Sequence, residues 1–229
     1  MLILGLTKTT LLDYPQKVAA TIFTGGCNFR CPFCHNGQLV LNAATEESIS
    51  EAEVFEHLTK RRNVLEGVCI TGGEPTIQAD LPEFIRKIKE LGYCVKLDTN
   101  GGNPGMLKRL VQEGLVDYVA MDIKNSKEKY KDTAIISENL LEKVKESVDY
   151  LLKGEVAYEF RTTVVRQLHT EKDLLAIAEW IKGCSHWYIQ SYKDNENVIN
   201  RDFSAYSKDE LCEMLSKAEG IEFSLRGIE

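Results

Sequence analysis

The sequence has little that would place it in or across a membrane. No stretch approaches the roughly 20 apolar residues that a spanning helix requires. The opening MLILGLTKTTLLDYP has neither a basic start nor a long apolar block with a small-residue cleavage site. A cytoplasmic protein is expected, with no membrane partner. There is no low-complexity run and no Pro- or Ser-rich linker, with only five prolines in 229 residues, so nothing divides the chain. That length suits one core, and residues 1–229 read as a single domain. Basic residues are also in the minority, 28 Lys and Arg against 35 Asp and Glu, for a formal net charge of -7. A general nucleic-acid binder shows a basic patch or stripe, and none is evident; Lys60, Arg61 and Arg62 read as the solvated end of a helix. Nucleic acid is therefore not expected as a partner.

What the chain does have is cysteine in one place. Seven is an odd number, and Cys27, Cys31 and Cys34 are crowded into one short segment. In a reducing compartment that spacing closes a metal site more readily than it builds a disulfide framework. Cys69, Cys94, Cys184 and Cys212 stand singly in expected strands or helices and read as core filler.

Short β-rich runs alternate with amphipathic patterns along the rest of the chain. Val18-Phe23, Val68-Thr71, Cys94-Asp98, Tyr118-Met121, Tyr158-Val165 and Trp187-Gln190 predict strands. Glu51-Arg62, Leu81-Leu91, Pro104-Glu113, Glu138-Leu152, Glu171-Ile181 and Lys208-Ala218 predict helices, several with a glycine just past the end. Strands separated by helices call for a parallel sheet with right-handed crossovers. The distinctive polar residues fall after successive strands: Thr24-Gly26, Thr71-Glu74, Asp98-Gly101 and Asp122-Lys124. A ring of functional loops on one face is how a β/α barrel builds a site. Six units exhaust the length, so the expected α/β fold is a partial (β/α)6 barrel with parallel strands, open on one side.

The loop after the first of these strands reads Gly25-Gly26-Cys27-Asn28-Phe29-Arg30-Cys31-Pro32-Phe33-Cys34-His35-Asn36. Three thiolates on so short a loop can converge on one iron-sulfur cube, and the two glycines let the backbone come close. Three ligands for four irons leave one iron open, and an open metal can bind a substrate where a closed one only stores electrons. The alternative is zinc on Cys27, Cys31, Cys34 and His35, although adjacent Cys34 and His35 are awkward as two ligands of one small ion. Thr71-Gly72-Gly73-Glu74-Pro75 follows the second strand, where a plain Gly-Gly turn is the mundane reading.

The Cys-x3-Cys-x2-Cys spacing with Phe33 before its last cysteine, followed by Gly72-Gly73-Glu74-Pro75, resembles the two motifs of the radical S-adenosylmethionine (SAM) superfamily. The resemblance implies a [4Fe-4S] cluster on Cys27, Cys31 and Cys34, with SAM on the open iron. It further implies that Phe33 belongs to the cofactor pocket and that Gly72, Gly73 and Glu74 handle the methionine ammonium. Leu97-Asp98-Thr99-Asn100-Gly101 and Ala120-Met121-Asp122-Ile123-Lys124 resemble the activases of glycyl radical enzymes. In that group the matching Asp98, Thr99 and Asp122 help hold a monovalent cation, while Lys124 and Arg161 contact the cofactor. Asp98 can equally cap the Asn100-Gly101 turn. Gln190, at the end of the sixth strand, is a further candidate for cofactor contact, with Tyr192 at the mouth. His169 reads as a solvated cap.

The lead Leu6-Thr7, Thr10-Leu11-Leu12-Asp13-Tyr14-Pro15 and the Cys34-His35-Asn36 junction are most similar to the activating proteins of anaerobic (class III) ribonucleoside-triphosphate reductases. That resemblance implies a radical SAM oxidoreductase that forms a 5′-deoxyadenosyl radical and takes hydrogen from a partner's glycine. Flavodoxin or ferredoxin would be the electron donor. The alternatives are an activase of another glycyl radical enzyme, such as pyruvate formate-lyase, and a stand-alone radical enzyme acting on a small molecule or peptide.

Overall fold

Each apolar strand is followed by a helix that returns the chain, so parallel pairing between successive strands is the natural outcome. In the computed structural model, which describes residues 1–227, β1 (Ile3–Thr10) forms a hairpin with β2 (Ala19–Thr24), with Ile3 opposite Thr24 and Thr10 opposite Ala19. From β2 onward all neighbours are parallel: β3 (Gly67–Gly72), β4 (Cys94–Thr99), β5 (Tyr118–Asp122), β6 (Ala157–Val164), β7 (Trp187–Ser191) and β8 (Phe223–Arg226). They form one eight-stranded sheet in chain order, with β1 and β8 as its two edge strands. The sheet is an unclosed barrel, and β2–β7 are the six strands expected from sequence.

The crossovers are α2 (Glu51–Lys60), α3 (Leu81–Glu90), α4 (Pro104–Gln112), α6 (Glu138–Leu151), α7 (Glu171–Trp180) and α8 (Lys208–Leu215); α1 (Gly37–Leu41) and α5 (Tyr130–Ala134) are short insertions. Their starts are capped locally: Ser50 and Ser137 accept the amides of Glu53 and Leu140, satisfying donors that helix geometry leaves free. Past the ends of α3 and α4, Gly92 and Gly114 take positive φ, which lets the chain turn directly into the next strand. Among the described residues no helix is long and apolar enough to cross a membrane.

Strand alternation sorts the side chains into two layers. Ile70, Val95, Leu97, Val119, Met121 and Phe160 face outward into the helices, where Ile85, Ile88, Leu107, Leu110, Val144 and Val148 are buried against them. Each such side chain contributes roughly 1.5–3 kcal/mol when fully buried. The intervening residues face inward, and Lys96, Asp98, Asp122, Glu159 and Arg161 among them are charged. Glu159 takes hydrogen bonds from Tyr118 Oη (2.8 Å) and Arg226 Nη1 (3.0 Å), while the Arg226 guanidinium lies 3.2 Å from the Tyr188 ring centroid. The core therefore lies between sheet and helices, and the barrel interior is left for charge.

β1 and β8 were not expected from sequence. β1 is an edge strand with three consecutive exposed residues, and β8 is four half-buried residues, so neither carries a strong apolar run.

Candidate functional site

β2 delivers the chain into the cysteine loop through Gly26, whose φ of +82° is a conformation that L side chains rarely adopt. All seven cysteines are free thiols; Cys31 is buried, and Cys27 and Cys34 are partly so. The Phe29 amide (3.3 Å) and the Asn100 Nδ2 (3.6 Å) both approach Cys27 Sγ as donors. Burial pushes the Cys27 thiol up to about 11 and the Cys31 thiol up to about 12. Without metal both are protonated near neutrality, and metal binding would displace those protons. Of the four isolated cysteines, Cys69 and Cys184 are buried as filler, Cys94 is intermediate, and Cys212 is exposed on α8.

The zinc alternative loses its fourth ligand. His35 Nε2 lies 2.7 Å from the Lys193 carbonyl, and its ring packs 5.6 Å from that of Tyr192. Among the described residues no three His, Cys, Asp or Glu side chains stand together as a single ion requires. The three thiols line one cavity without meeting at a point, which suits a multi-iron cube better than one ion.

The Gly-Gly pair is set against this loop for steric reasons. A Cβ on Gly73 would lie 1.9 Å from the Gly26 carbonyl oxygen, and one on Gly72, where φ is +113°, would lie 2.3 Å from the Thr24 amide nitrogen. With no side chains present, the Gly73 amide donates to Thr24 O and the Glu74 amide to Gly26 O, both at 2.8 Å. Asn36 Nδ2 closes the other side on Gly72 O at 2.7 Å. The mundane turn reading falls short, because these glycines are where two loops touch. Glu74 is buried, and its carboxylate accepts from the Thr76 amide (3.1 Å), Thr76 Oγ1 (2.5 Å), Thr99 Oγ1 (2.7 Å) and the Asn100 amide (2.6 Å). Burial pushes its carboxyl upward against those donors. Glu74 and Thr99 thus fasten the loop after β3 to the loop after β4.

A second set of acidic side chains is partnered by cations. Arg161 on β6 places Nη1 2.9 Å from Asp98 Oδ2 and Nε 2.9 Å from Asp122 Oδ1. Lys96 pairs with Asp98 Oδ1, and Lys124 Nζ lies 2.9 Å from Asp122 Oδ2. Burial alone would raise the carboxyls of Asp98 and Asp122, but Arg161 together with Lys96 or Lys124 outweighs it and holds both below the usual range. Burial likewise opposes the charge on Lys124, and Asp122 overcomes it. The Asp98 side chain does not cap the Asn100–Gly101 turn; the Gly102 amide finds Asn100 Oδ1 instead, at 2.8 Å.

These elements enclose a cavity of about 230 Å³ at the C-terminal ends of β2–β7. Its lining includes Cys27, Cys31, Cys34, Phe33, Gly72, Gly73, Glu74, Asp98, Thr99, Asp122, Lys124, Arg161 and Gln190, the residues singled out from sequence. Thr71 and Asn100, part of the sequence motifs but given no role of their own, also stand in the wall; sequence reasoning missed Thr163 there and Lys96 one layer below. Tyr192 is not at the mouth: it is buried beside His35 and Phe203, under a segment that hydrogen bonds the cysteine loop through Ile199 N to Cys34 O and Asn200 N to Pro32 O. Nor is His169 a solvated cap, since it is fully buried with its ring edge-on to Phe33.

Known proteins show matching features. The pattern of the Radical SAM superfamily matches residues 21–181. A Methanocaldococcus jannaschii protein, provisionally named a glycyl-radical enzyme activating enzyme, is 35% identical over 199 residues, 85% of this chain and 81% of its own. The pyruvate formate-lyase-activating enzyme of Listeria monocytogenes is 32% identical over 114 residues, 45% of each chain. Streptococcus suis SuiB, in its crystal structure bound to SAM, is similar with a TM-score of 0.68 at 13% identity, over 88% of this chain and 48% of its own. That likeness is one of fold, and this chain spans about half of SuiB's length.

Proposed function

Because this chain belongs to the Radical SAM superfamily, within its glycyl-radical-enzyme activating group, we propose that its client is an anaerobic ribonucleoside-triphosphate reductase, from a glycine of which it removes a hydrogen atom. The family carries a [4Fe-4S] cluster and SAM. When bound, the cluster supplies the electron that splits the sulfonium of SAM into methionine and a 5′-deoxyadenosyl radical. In this reading Cys27, Cys31 and Cys34 hold three irons and leave the fourth to the cofactor. Lys124 and Arg161 meet the cofactor's carboxylate with charge-assisted hydrogen bonds. The Gly72-Gly73 main chain borders the ammonium, and Glu74 acts there by fixing that loop. Phe33 and Gln190 bound the remainder of the pocket. No side-chain nucleophile or proton shuttle is needed; the chain orients the reacting atoms and excludes water.

One observation carries the reading: three free thiols and the paired charges of Asp98, Asp122, Lys124 and Arg161 share a single cavity at the strand ends of an unclosed barrel. An unclosed side suits a client loop better than a sealed pocket would. The lead segment Leu6–Pro15 and the Cys34-His35-Asn36 junction favour the reductase as client over pyruvate formate-lyase. Residues 1–229 would act as one cytoplasmic domain, with flavodoxin or ferredoxin as electron donor.

The test is to mix anaerobically reconstituted protein with reductant, SAM and the reductase, then record EPR. A doublet glycyl signal is the expected outcome. A signal with pyruvate formate-lyase alone would move the client, and silence with every glycyl radical enzyme would end the activase reading. Cys31→Ala should abolish the signal together with nearly all bound iron, read by iron and sulfide assay.

A further inference from the structure

Five charged side chains inside the barrel alternate in sign along one line: Lys96, Asp98, Arg161, Asp122 and Lys124. Lys96 and Asp98 are two residues apart on β4, so strand alternation sends both inward. All four carboxylate oxygens are taken by cations. Asp98 Oδ1 receives Lys96 and Oδ2 receives Arg161; Asp122 Oδ1 receives Arg161 and Oδ2 receives Lys124. Three positive charges face two negative ones.

The activase resemblance implies a monovalent metal ion on Asp98, Thr99 and Asp122, and these residues do not fit one. No carboxylate oxygen is free of a cationic partner, and Thr99 Oγ1 is spent between Glu74 and the Gly101 amide. A sodium or potassium ion would have to displace a fixed ammonium or guanidinium and raise a surplus of one positive charge to two. The Lys96 side chain is only 2% exposed, so its ammonium has no route to water once displaced. We propose that the Lys96 ammonium is this site's own fixed counter-cation, and that the chain binds SAM with no monovalent metal ion. The ladder's surplus charge, on the side of Lys124 and Arg161, is left for the cofactor's carboxylate. This rests on the reading above that the carboxylate lies there.

The decisive experiment titrates the reconstituted protein with SAM in potassium, sodium or tetramethylammonium chloride at equal ionic strength, following the cluster EPR. A parallel titration with thallium(I), a monovalent surrogate visible by NMR, needs no SAM. For the wild type, the SAM dissociation constant should agree within about twofold in the three salts, as expected where only bulk screening acts. Thallium should show no saturable site. Lys96→Met should lose about tenfold in SAM affinity in tetramethylammonium, regain it in potassium or sodium, and acquire a saturable thallium signal. Lys96→Arg, which keeps the charge, should remain indifferent to the salt.

Three results would overturn the proposal: a wild type that weakens about tenfold in tetramethylammonium, a saturable thallium site in the wild type, or a Lys96→Met protein as tight as wild type without an alkali ion. A wild type that binds no SAM in any salt would instead refute the placement of the cofactor. The thallium titration, made on wild type as well as the variant, would still decide the cation question.

Discussion

Glu74 and the Asp98–Asp122 pair border the same cavity, yet they are satisfied in opposite ways. Glu74 is held by neutral donors, two hydroxyls and two main-chain amides, from its own loop and the next one. Asp98 and Asp122 are held by an ammonium on one side, a shared guanidinium between them and a second ammonium beyond. Burial wins at Glu74 and raises its carboxyl; at the pair the cations win and lower theirs. Neutral donors bind a carboxylate at the cost of their own freedom, so Glu74 fixes backbone. Cations bring charge that remains after pairing, so the ladder presents a field to a ligand. One region decides where the loops are, and the other what the cavity attracts.

Variants can separate these two roles. Glu74→Ala leaves the Thr76 and Asn100 amides buried without an acceptor and should cost about 3 kcal/mol or more of unfolding free energy. Denaturant unfolding of the metal-free protein measures it, and a loss below about 1 kcal/mol would mean that the two loops are fastened elsewhere. Lys124→Met should do the reverse. Lys124 is the outer end of the ladder and Asp122 keeps Arg161, so stability should change less than in Glu74→Ala. SAM affinity should fall about 10- to 100-fold, the worth of a lost charged hydrogen bond of about 1.5–3 kcal/mol. Calorimetric titration of the reconstituted protein reads it, and unchanged affinity would remove the ladder from the cofactor site.

The sequence exposed one of these regions better than the other. The strands and helices were legible within a few residues because each apolar run ends at a glycine or a polar loop, and the motifs were legible because three close cysteines and a Gly-Gly-Glu turn have few uses. Glu74's partners were not, since Thr99 and Asn100 lie 25 and 26 residues downstream and meet it only when β3 and β4 align. Lys96 belongs to no motif, although its spacing of two from Asp98 on a strand places both on the inner face. From sequence His169 reads as a cap because it precedes α7. That task belongs to Thr170 and Asp173, whose carboxylate takes the Thr170 amide at 2.8 Å, and the imidazole is thereby free to turn inward.

His169 extends the comparison, because it supports the charged ladder with an uncharged group. Its Nε2 faces the Lys124 carbonyl at 2.9 Å and its Nδ1 faces the Val165 amide at 3.1 Å, so the neutral ring donates through Nε2 and accepts through Nδ1. A second proton would go on Nδ1, which lies 3.2 Å from the Val165 carbonyl as well as near the amide, so the folded site offers it a partner that burial outweighs. Burial, the largest influence, holds the imidazole below its ordinary value of 6.5. As pH falls from that value the unfolded chain takes up a proton before the folded one does. The stability held by the neutral ring is therefore complete above about pH 6.5 and declines below it, by at most about 1.4 kcal/mol per pH unit. Glu74, with its raised carboxyl, acts in the opposite sense, and Asp98 and Asp122 act only at lower pH, so the wild type alone would blur the effect. The difference in unfolding free energy between wild type and His169→Gln isolates it, because glutamine keeps a donor and an acceptor but does not titrate. From about pH 7.5 to about pH 6.5 that difference should hold nearly constant, and from there to about pH 5.5 it should shrink as acid is added. A difference that stays level would mean that the folded site accepts the proton as readily as water does, and that the support under Lys124 is not a neutral one.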